Sequence, residues 1–230
     1  MTLNRSGLPL VAVMLAVVSL RAQAPQLAPR GEQERSPFAP KSSAARGDAA
    51  RREPAEPPSQ TLRDSQTDVV FDLPAGWNLM RRDGEISTFH LDARSAPRKT
   101  KMRAVAGLAF NPFPLSTFSG ALLYLSSTPH SSATKCAAQT KDKPEKPLGG
   151  TTVGDLRFNR GLDEHGRICT DARDVTYTAL RHGSCVRFDL VVNTFCGGEV
   201  SGVQNITDTE LADVFKRLEA ILGTVRFVPN

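Results

Sequence analysis

The feature that most limits how this chain can fold is segment 168–196, two runs rich in Val and Thr around His182-Gly183. A two-residue turn there makes the segment a long β-hairpin. It also fixes the register, because facing residues then have numbers that add to 365, as His182 and Gly183 do. Ala179 faces Val186, Tyr177 faces Phe188, Val175 faces Leu190 and Arg173 faces Val192. Between them Thr178 faces Arg187 and Thr176 faces Asp189. One side is apolar near the turn and the other polar, so a half-buried hairpin is expected.

The same register sorts the cysteines. Spacing alone leaves three pairing schemes for Cys136, Cys169, Cys185 and Cys196. The hairpin sets Cys169 opposite Cys196, and facing residues on neighbouring strands have Cβ atoms about 4.5–5.5 Å apart. A small adjustment reaches the roughly 3.5–4.5 Å that a disulfide spans. Cys185 faces Leu180, so its thiol looks outside the hairpin and Cys136 is what remains. The expected bonds are Cys169–Cys196 and Cys136–Cys185, provided no bulge near 171–174 shifts the ladder. Four thiolates can also hold zinc, but no C-x-x-C pair is present, which favours disulfides and argues against a thioredoxin-like redox role.

Elsewhere, Val69, Phe71 and Leu73 alternate with Val70 and Asp72 as in a strand, and Pro74-Ala75-Gly76 turns the chain. Trp77 and Leu79 begin a second strand, Asp83-Gly84 signals a turn, and 86–91 alternates as a third. Trp77 is expected to cap the core. Residues 102–110 and 120–126 read as buried strands, 131–139 as a short helix carrying Cys136, and 141–150 as a loop. A strand over 153–160 is expected to close at the polar turn Asp163-Glu164-His165-Gly166. The clearest helix comes last. Thr207 and Glu210 have capping-box spacing, Leu211, Val214, Phe215, Leu218, Ile221 and Leu222 form one apolar stripe, and Gly223 ends it. Val225 and Phe227 follow in a final strand. The fold class is α+β, a mostly antiparallel sheet with a C-terminal amphipathic helix packed on it.

The start of the chain bears on location. Arg5 precedes an uncharged apolar run over 8–20, and Ala22-Gln23-Ala24 has the small-x-small pattern of a signal-peptidase site. Residues 1–24 are therefore read as a signal peptide. Pro25 opposes cleavage after Ala24, and an uncleaved anchor is the alternative. Residues 25–66 are rich in Pro, Ala and Arg without an apolar period, so a disordered linker is expected there and a single globular domain over 67–230. Secretion or a periplasmic location follows, with no transmembrane segment in the mature chain.

The net charge is +5, but Arg5 and Arg21 supply +2 of it and 25–66 another +1, from seven basic and six acidic residues. The remaining +2 on the domain does not mark a nucleic-acid binder. The densest basic group, Arg94, Arg98, Lys99, Lys101 and Arg103, straddles Ser95-Ala96-Pro97 and reads as a solvated loop.

Two stretches carry a resemblance. The opening Phe71-Asp72-Leu73-Pro74-Ala75-Gly76-Trp77 and the closing Leu222-Gly223-Thr224-Val225-Arg226-Phe227 resemble PsbP-like domains. The chain is also similar to uncharacterised secreted proteins of soil bacteria. The resemblance implies a PsbP-like α/β sandwich and an exported location. It implies an accessory role and no particular reaction, since fold alone does not give function.

No nucleophile elbow, P-loop, dinucleotide fingerprint or zinc-protease helix is present, and no cofactor is implied. Asp163, Glu164 and His165 form the one constellation in which a weak metal site is conceivable, against the plainer reading of a solvated turn. Asn205-Ile206-Thr207 is a glycosylation sequon, but Thr207 is better explained as a helix cap. The expectation is an exported non-catalytic module that binds a protein, an envelope component or a small ligand. The alternative is a hydrolase assembled only in the fold, around His90, His165 or His182. A histidine meeting a carboxylate or hydroxyl in a concave pocket separates the two.

Overall fold

The structure is a computed structural model that describes residues 57–80, 88–197 and 202–228. The expected signal peptide, the expected linker as far as residue 56 and the expected Asp83-Gly84 turn lie outside the described residues. In chain order the elements begin with β1 (Gln60–Asp64), β2 (Val69–Leu73), β3 (Trp77–Met80), α1 (Phe89–Asp92), β4 (Lys101–Leu108), β5 (Phe118–Thr128) and α2 (Ala133–Ala138). They continue with β6 (Lys146–Val153), β7 (Leu156–Arg167), β8 (Thr170–Arg181), β9 (Ser184–Phe195), α3 (Asp208–Leu222) and β10 (Arg226–Phe227).

The hairpin of β8 and β9 keeps the expected register from Arg181 opposite Ser184 to Thr170 opposite Phe195, without a bulge. His182 (φ 45°) and Gly183 (φ 73°) both enter the left-handed region. That is a type I′ turn, whose twist matches the strands it joins. The hairpin sits inside a seven-stranded antiparallel sheet of order β3-β4-β5-β9-β8-β7-β6, and a three-stranded sheet of order β1-β2-β10 stands apart from it.

One face of the large sheet builds the main core. Leu123, Leu125, Tyr177, Phe188 and Leu190 meet Val69, Phe71 and Leu73 of β2 and the stripe of α3, all buried. The helix forms as its sequence dictates. Thr207 accepts from the Glu210 backbone, Glu210 returns the bond to the Thr207 amide, and Leu211, Val214, Leu218, Ile221 and Leu222 turn inward. Each buried leucine or isoleucine contributes roughly 1.5–3 kcal/mol. Trp77 joins the core as a buried member.

The opposite face departs from expectation. Thr176, Thr178, Arg187 and Asp189 are not a solvated side of a half-buried hairpin, for each is 0 % exposed. They lie under α2 and the flanking segments 93–97 and 139–145, and hydrogen bonds replace water: Thr178 Oγ1 donates to the Cys136 carbonyl and Arg187 to Ser95 and Gln139. Cys136 of α2 is bonded to Cys185 of β9, Cα–Cα 5.4 Å, which holds the helix on that face. Cys169 and Cys196 are not joined in the structure. The chain already turns at Ile168-Cys169, where Cys169 has φ 59°, and leads away to β7 rather than continuing the ladder beside β9.

Four further expectations are corrected. The domain starts before residue 67, because β1 pairs with β2 and Asp64 (2 % exposed) grips buried Arg103. The strand expected over 86–91 gives way to α1, where buried Phe89 packs edge-on against Tyr124. The loop expected over 141–150 includes the edge strand β6, whose prolines and glycines an edge tolerates, with a register shift between Pro147 and Gly149. No turn forms at Asp163-Glu164-His165-Gly166, since β7 runs through it to Arg167.

The basic cluster also dissolves. Arg103 is buried against Asp64 at a β-bulge between Met102 and Ala104, and Arg94 is committed to Asp163. Among the described residues no helix is long and apolar enough to cross a membrane.

Candidate functional site

Extending β7 to Arg167 puts Asp163 and His165, two apart on one strand, on the same face of the sheet. Asp163 is 2 % exposed and accepts two bonds from Arg94, Nε to Oδ2 at 2.7 Å and Nη2 to Oδ1 at 2.8 Å. His165 Nδ1 lies 3.1 Å from Asp163 Oδ2, and its Nε2 lies 2.9 Å from the Leu91 carbonyl oxygen. Both ring nitrogens therefore face oxygen acceptors. The imidazole ties α1 to β7 through Nε2, while Nδ1 is buried beside Asp163 without a hydrogen bond to it.

Clefts open on either side of this clamp. One, of 280 Å³, is walled by Thr88, Leu91, Asp92, Arg167 and Asn193. The other, of 360 Å³, is walled by Glu164, Arg173, Ile206, Asp208 and Leu211 near the start of α3. His165, Asp171, Ala172 and Thr194 line both. Asp92 is fixed in its wall by two hydroxyls, Tyr124 donating to its Oδ2 at 2.7 Å and Thr88 to the same oxygen at 2.6 Å. Burial, with the nearby Asp92 charge, pushes the Tyr124 phenol above its ordinary range, so it stays a donor.

The other histidines stand apart. His90 is exposed, His130 occupies a left-handed turn position (φ 52°), and His182 sits in the hairpin turn 3.9 Å from Asp68. The constellation Asp163, Glu164 and His165 is split by strand alternation. Glu164 points to the other face, where Arg173 (3.2 Å) and Lys146 (3.5 Å) pair with it. Among the described residues no three histidine, cysteine or carboxylate side chains converge as a metal ion would need.

Arg187, Asp189, Asp174 and Glu145 escaped the sequence reading as a group. Arg187 Nη2 lies 2.6 Å from Asp189 Oδ1 and 3.8 Å from Asp174 Oδ2, with every side chain 0 % exposed. The signal was present in the register: Arg187 and Asp189 are two apart on one strand, opposite Thr178 and Thr176. What it lacked was the cover supplied by α2 and by Glu145, which belongs to a different part of the chain.

No protein-family model and no curated protein matches the chain. Several solved structures are similar. A cyanobacterial PsbP from Synechocystis is 10% identical over 79% of this chain and 98% of its own, with a TM-score of 0.40. LpqN of Mycobacterium tuberculosis, described as involved in cell envelope biogenesis, is 9% identical over 74% of this chain and 91% of its own, TM-score 0.35. The Saccharomyces cerevisiae Ran-binding protein Mog1p is 10% identical over 74% and 96%, TM-score 0.40. A Bacteroides thetaiotaomicron protein is 8% identical with a TM-score of 0.39, and the match spans 47% of its length and 73% of this chain.

Proposed function

We propose that this chain is an exported, non-catalytic binding module whose ligand lies in the clefts around His165. The observation that carries this reading is the contact of His165 Nε2 with the Leu91 carbonyl at 2.9 Å, since Nε2 is the nitrogen that a hydrolase with Asp163 behind the ring would turn to its nucleophile. His165 does meet a carboxylate at the edge of a cleft, but with Nε2 on a main-chain carbonyl the ring organises the wall and is badly placed to act as a general base. The cleft beside α3 suits a polar ligand, offering Glu164, Asp171, Arg173 and Asp208, while the other is the more apolar of the two. A protein or envelope component that inserts a polar segment fits the cleft beside α3, and so does a small polar molecule. Export is supported by the Cys136–Cys185 bond, which an oxidising compartment maintains, together with the signal pattern of residues 1–24.

The test is a pull-down from the envelope fraction with three forms of the chain. These are the natural one, Thr194→Arg, which sets a long cation at a residue common to both clefts, and Lys135→Glu on the exposed side of α2. A species held by the natural chain and by Lys135→Glu, but released by Thr194→Arg, is the expected result. Equal retention by all three would move the ligand elsewhere. The hydrolase reading predicts turnover of ester, peptide or glycoside substrates that His165→Ala abolishes, and that result would overturn the binding module.

A further inference from the structure

The layer beneath α2 holds more buried carboxyls than its cation can balance. Arg187 faces Asp189, Asp174 and Glu145, all four between 0 % and 4 % exposed. Asp189 takes the guanidinium, Nε donating to both its oxygens at 2.8 and 3.0 Å. The single hydroxyl hydrogen of Thr176 is within reach of Glu145 Oε1 (3.0 Å), Asp189 Oδ1 (3.1 Å) and Asp174 Oδ2 (3.4 Å), and it can serve only one. Asp174 Oδ1 and Glu145 Oε2 have no donor, and Ser126 Oγ and Gln139 Nε2 are also buried without partners. An ionised carboxylate this far from water needs more than a third share in one hydroxyl.

We propose that Asp174 is a buried proton site: it is protonated at neutral pH, and loss of that proton loosens the segment 91–95 that walls the cleft. The bond that breaks is the carboxyl O–H of Asp174, and the proton leaves to bulk water. Burial, followed by the Asp189 charge, pushes the Asp174 carboxyl well above the usual carboxylate range, with Arg187 opposing. Burial raises Glu145 as well, though bonds from Ser95 and Thr176 hold it back. The other ionisable groups on this face are Arg94, Asp163 and His165, with Asp92 and Tyr124 beyond them.

The route to the cleft is continuous. Ser95 Oγ accepts from Arg187 Nη1 at 2.9 Å and donates to Glu145 Oε1 at 2.8 Å. Its neighbour Arg94 clamps Asp163, Asp163 faces His165, and His165 holds the Leu91 carbonyl. A second negative charge at Asp174 competes for Arg187 and so pulls on Ser95. Because the folded state binds the proton more tightly than the unfolded chain, its stabilisation is whole at acid pH. It is lost as pH rises through the folded value. The link to ligand binding rests on the cleft reading above; the proton site does not.

The test is a pH titration of the intact chain, following side-chain carboxyl carbons and backbone amides by NMR. One aspartate carboxyl is expected to keep its protonated shift at neutral pH and to titrate well above the usual carboxylate range. The amides of Leu91, Asp92 and Arg94 should move with the same midpoint. In Asp174→Asn, which replaces a protonated carboxyl by a neutral amide of like shape, both transitions should vanish. In Ser95→Ala the carboxyl transition should persist while the amide transition is lost. Every carboxyl titrating in the ordinary acid range would overturn the proton site. A titrating Asp174 with static amides over 91–95 would overturn the link, whereas a failed pull-down would touch only the cleft.

Discussion

Glu145 reaches the sheet because residue 161 is glycine: a Cβ there would stand 2.6 Å from Glu145 Oε2 and 2.7 Å from the Thr140 carbonyl oxygen. A bare backbone in mid-strand usually weakens a strand, but here it seats the carboxylate beside Thr176. Gly161→Ala is expected to destabilise by about 1–3 kcal/mol, the cost of overpacking a filled site. Gly120→Ala, where no atom lies within 4 Å, should stay within about 0.5 kcal/mol. Denaturant melts of the two variants decide it, and equal effects would mean that Glu145 is not seated over residue 161.

The same pair marks where sequence reading stops. Hairpin register, the α3 stripe and its capping box are local, and the residues that set them are neighbours or obey one arithmetic rule. They were legible for that reason. The polar side of the hairpin was legible as a pattern but not as a buried one, because its cover comes from α2 and Glu145. Asp163 and His165 looked like a turn because polar residues in a row favour turns. The ladder with β8 makes that sequence a strand, and Arg94 and the Leu91 carbonyl, from a distant part of the chain, take up its polar side chains.

Asp64 and Arg103 tie β1 to β4, with side chains 2 % and 9 % exposed. Burial pushes the Asp64 carboxyl up, but the Arg103 and Thr67 bonds outweigh it and the net direction is down. A depressed value means stabilisation that is present above the ordinary Asp range and lost as pH falls through the folded value. Asp64→Asn leaves the buried guanidinium unpaired and should cost about 3–5 kcal/mol at neutral pH. Thermal melts across the acid range should show the gap between natural chain and variant closing as pH drops. A constant gap would mean that Asp64 acts by shape alone.

Cys136–Cys185 joins residues 49 apart in sequence, and removing such a link typically costs about 2–4 kcal/mol. The double variant Cys136→Ala/Cys185→Ala is expected to melt earlier by that amount and to lose its sensitivity to reductant. Peptide mapping without reduction should recover the Cys136–Cys185 link. Exposed Cys196 should react with a maleimide in the same sample. A Cys169–Cys196 peptide in its place would show that the hairpin's open end rearranges on oxidation, against the turn at Cys169.

The closing helix separates two kinds of residue that stand side by side. Leu218 is 0 % exposed and lies at the centre of the stripe between the large sheet and β2. Arg217, one residue earlier, is exposed, and its guanidinium lies 6.0 Å from the centre of the Phe110 ring. Truncating Leu218 removes apolar contacts and leaves a cavity that the two sheets cannot easily close, so Leu218→Ala should cost about 2–5 kcal/mol. Arg217→Ala gives up a solvent-exposed cation–π contact worth about 0.5–1 kcal/mol at most. Thr207→Ala removes the hydroxyl that accepts from the Glu210 amide and should fall between them, at about 1 kcal/mol. Chemical melts of the three variants should therefore rank Leu218, Thr207 and Arg217 in falling order. Arg217→Ala matching Leu218→Ala would mean that the helix presents a different face to the core.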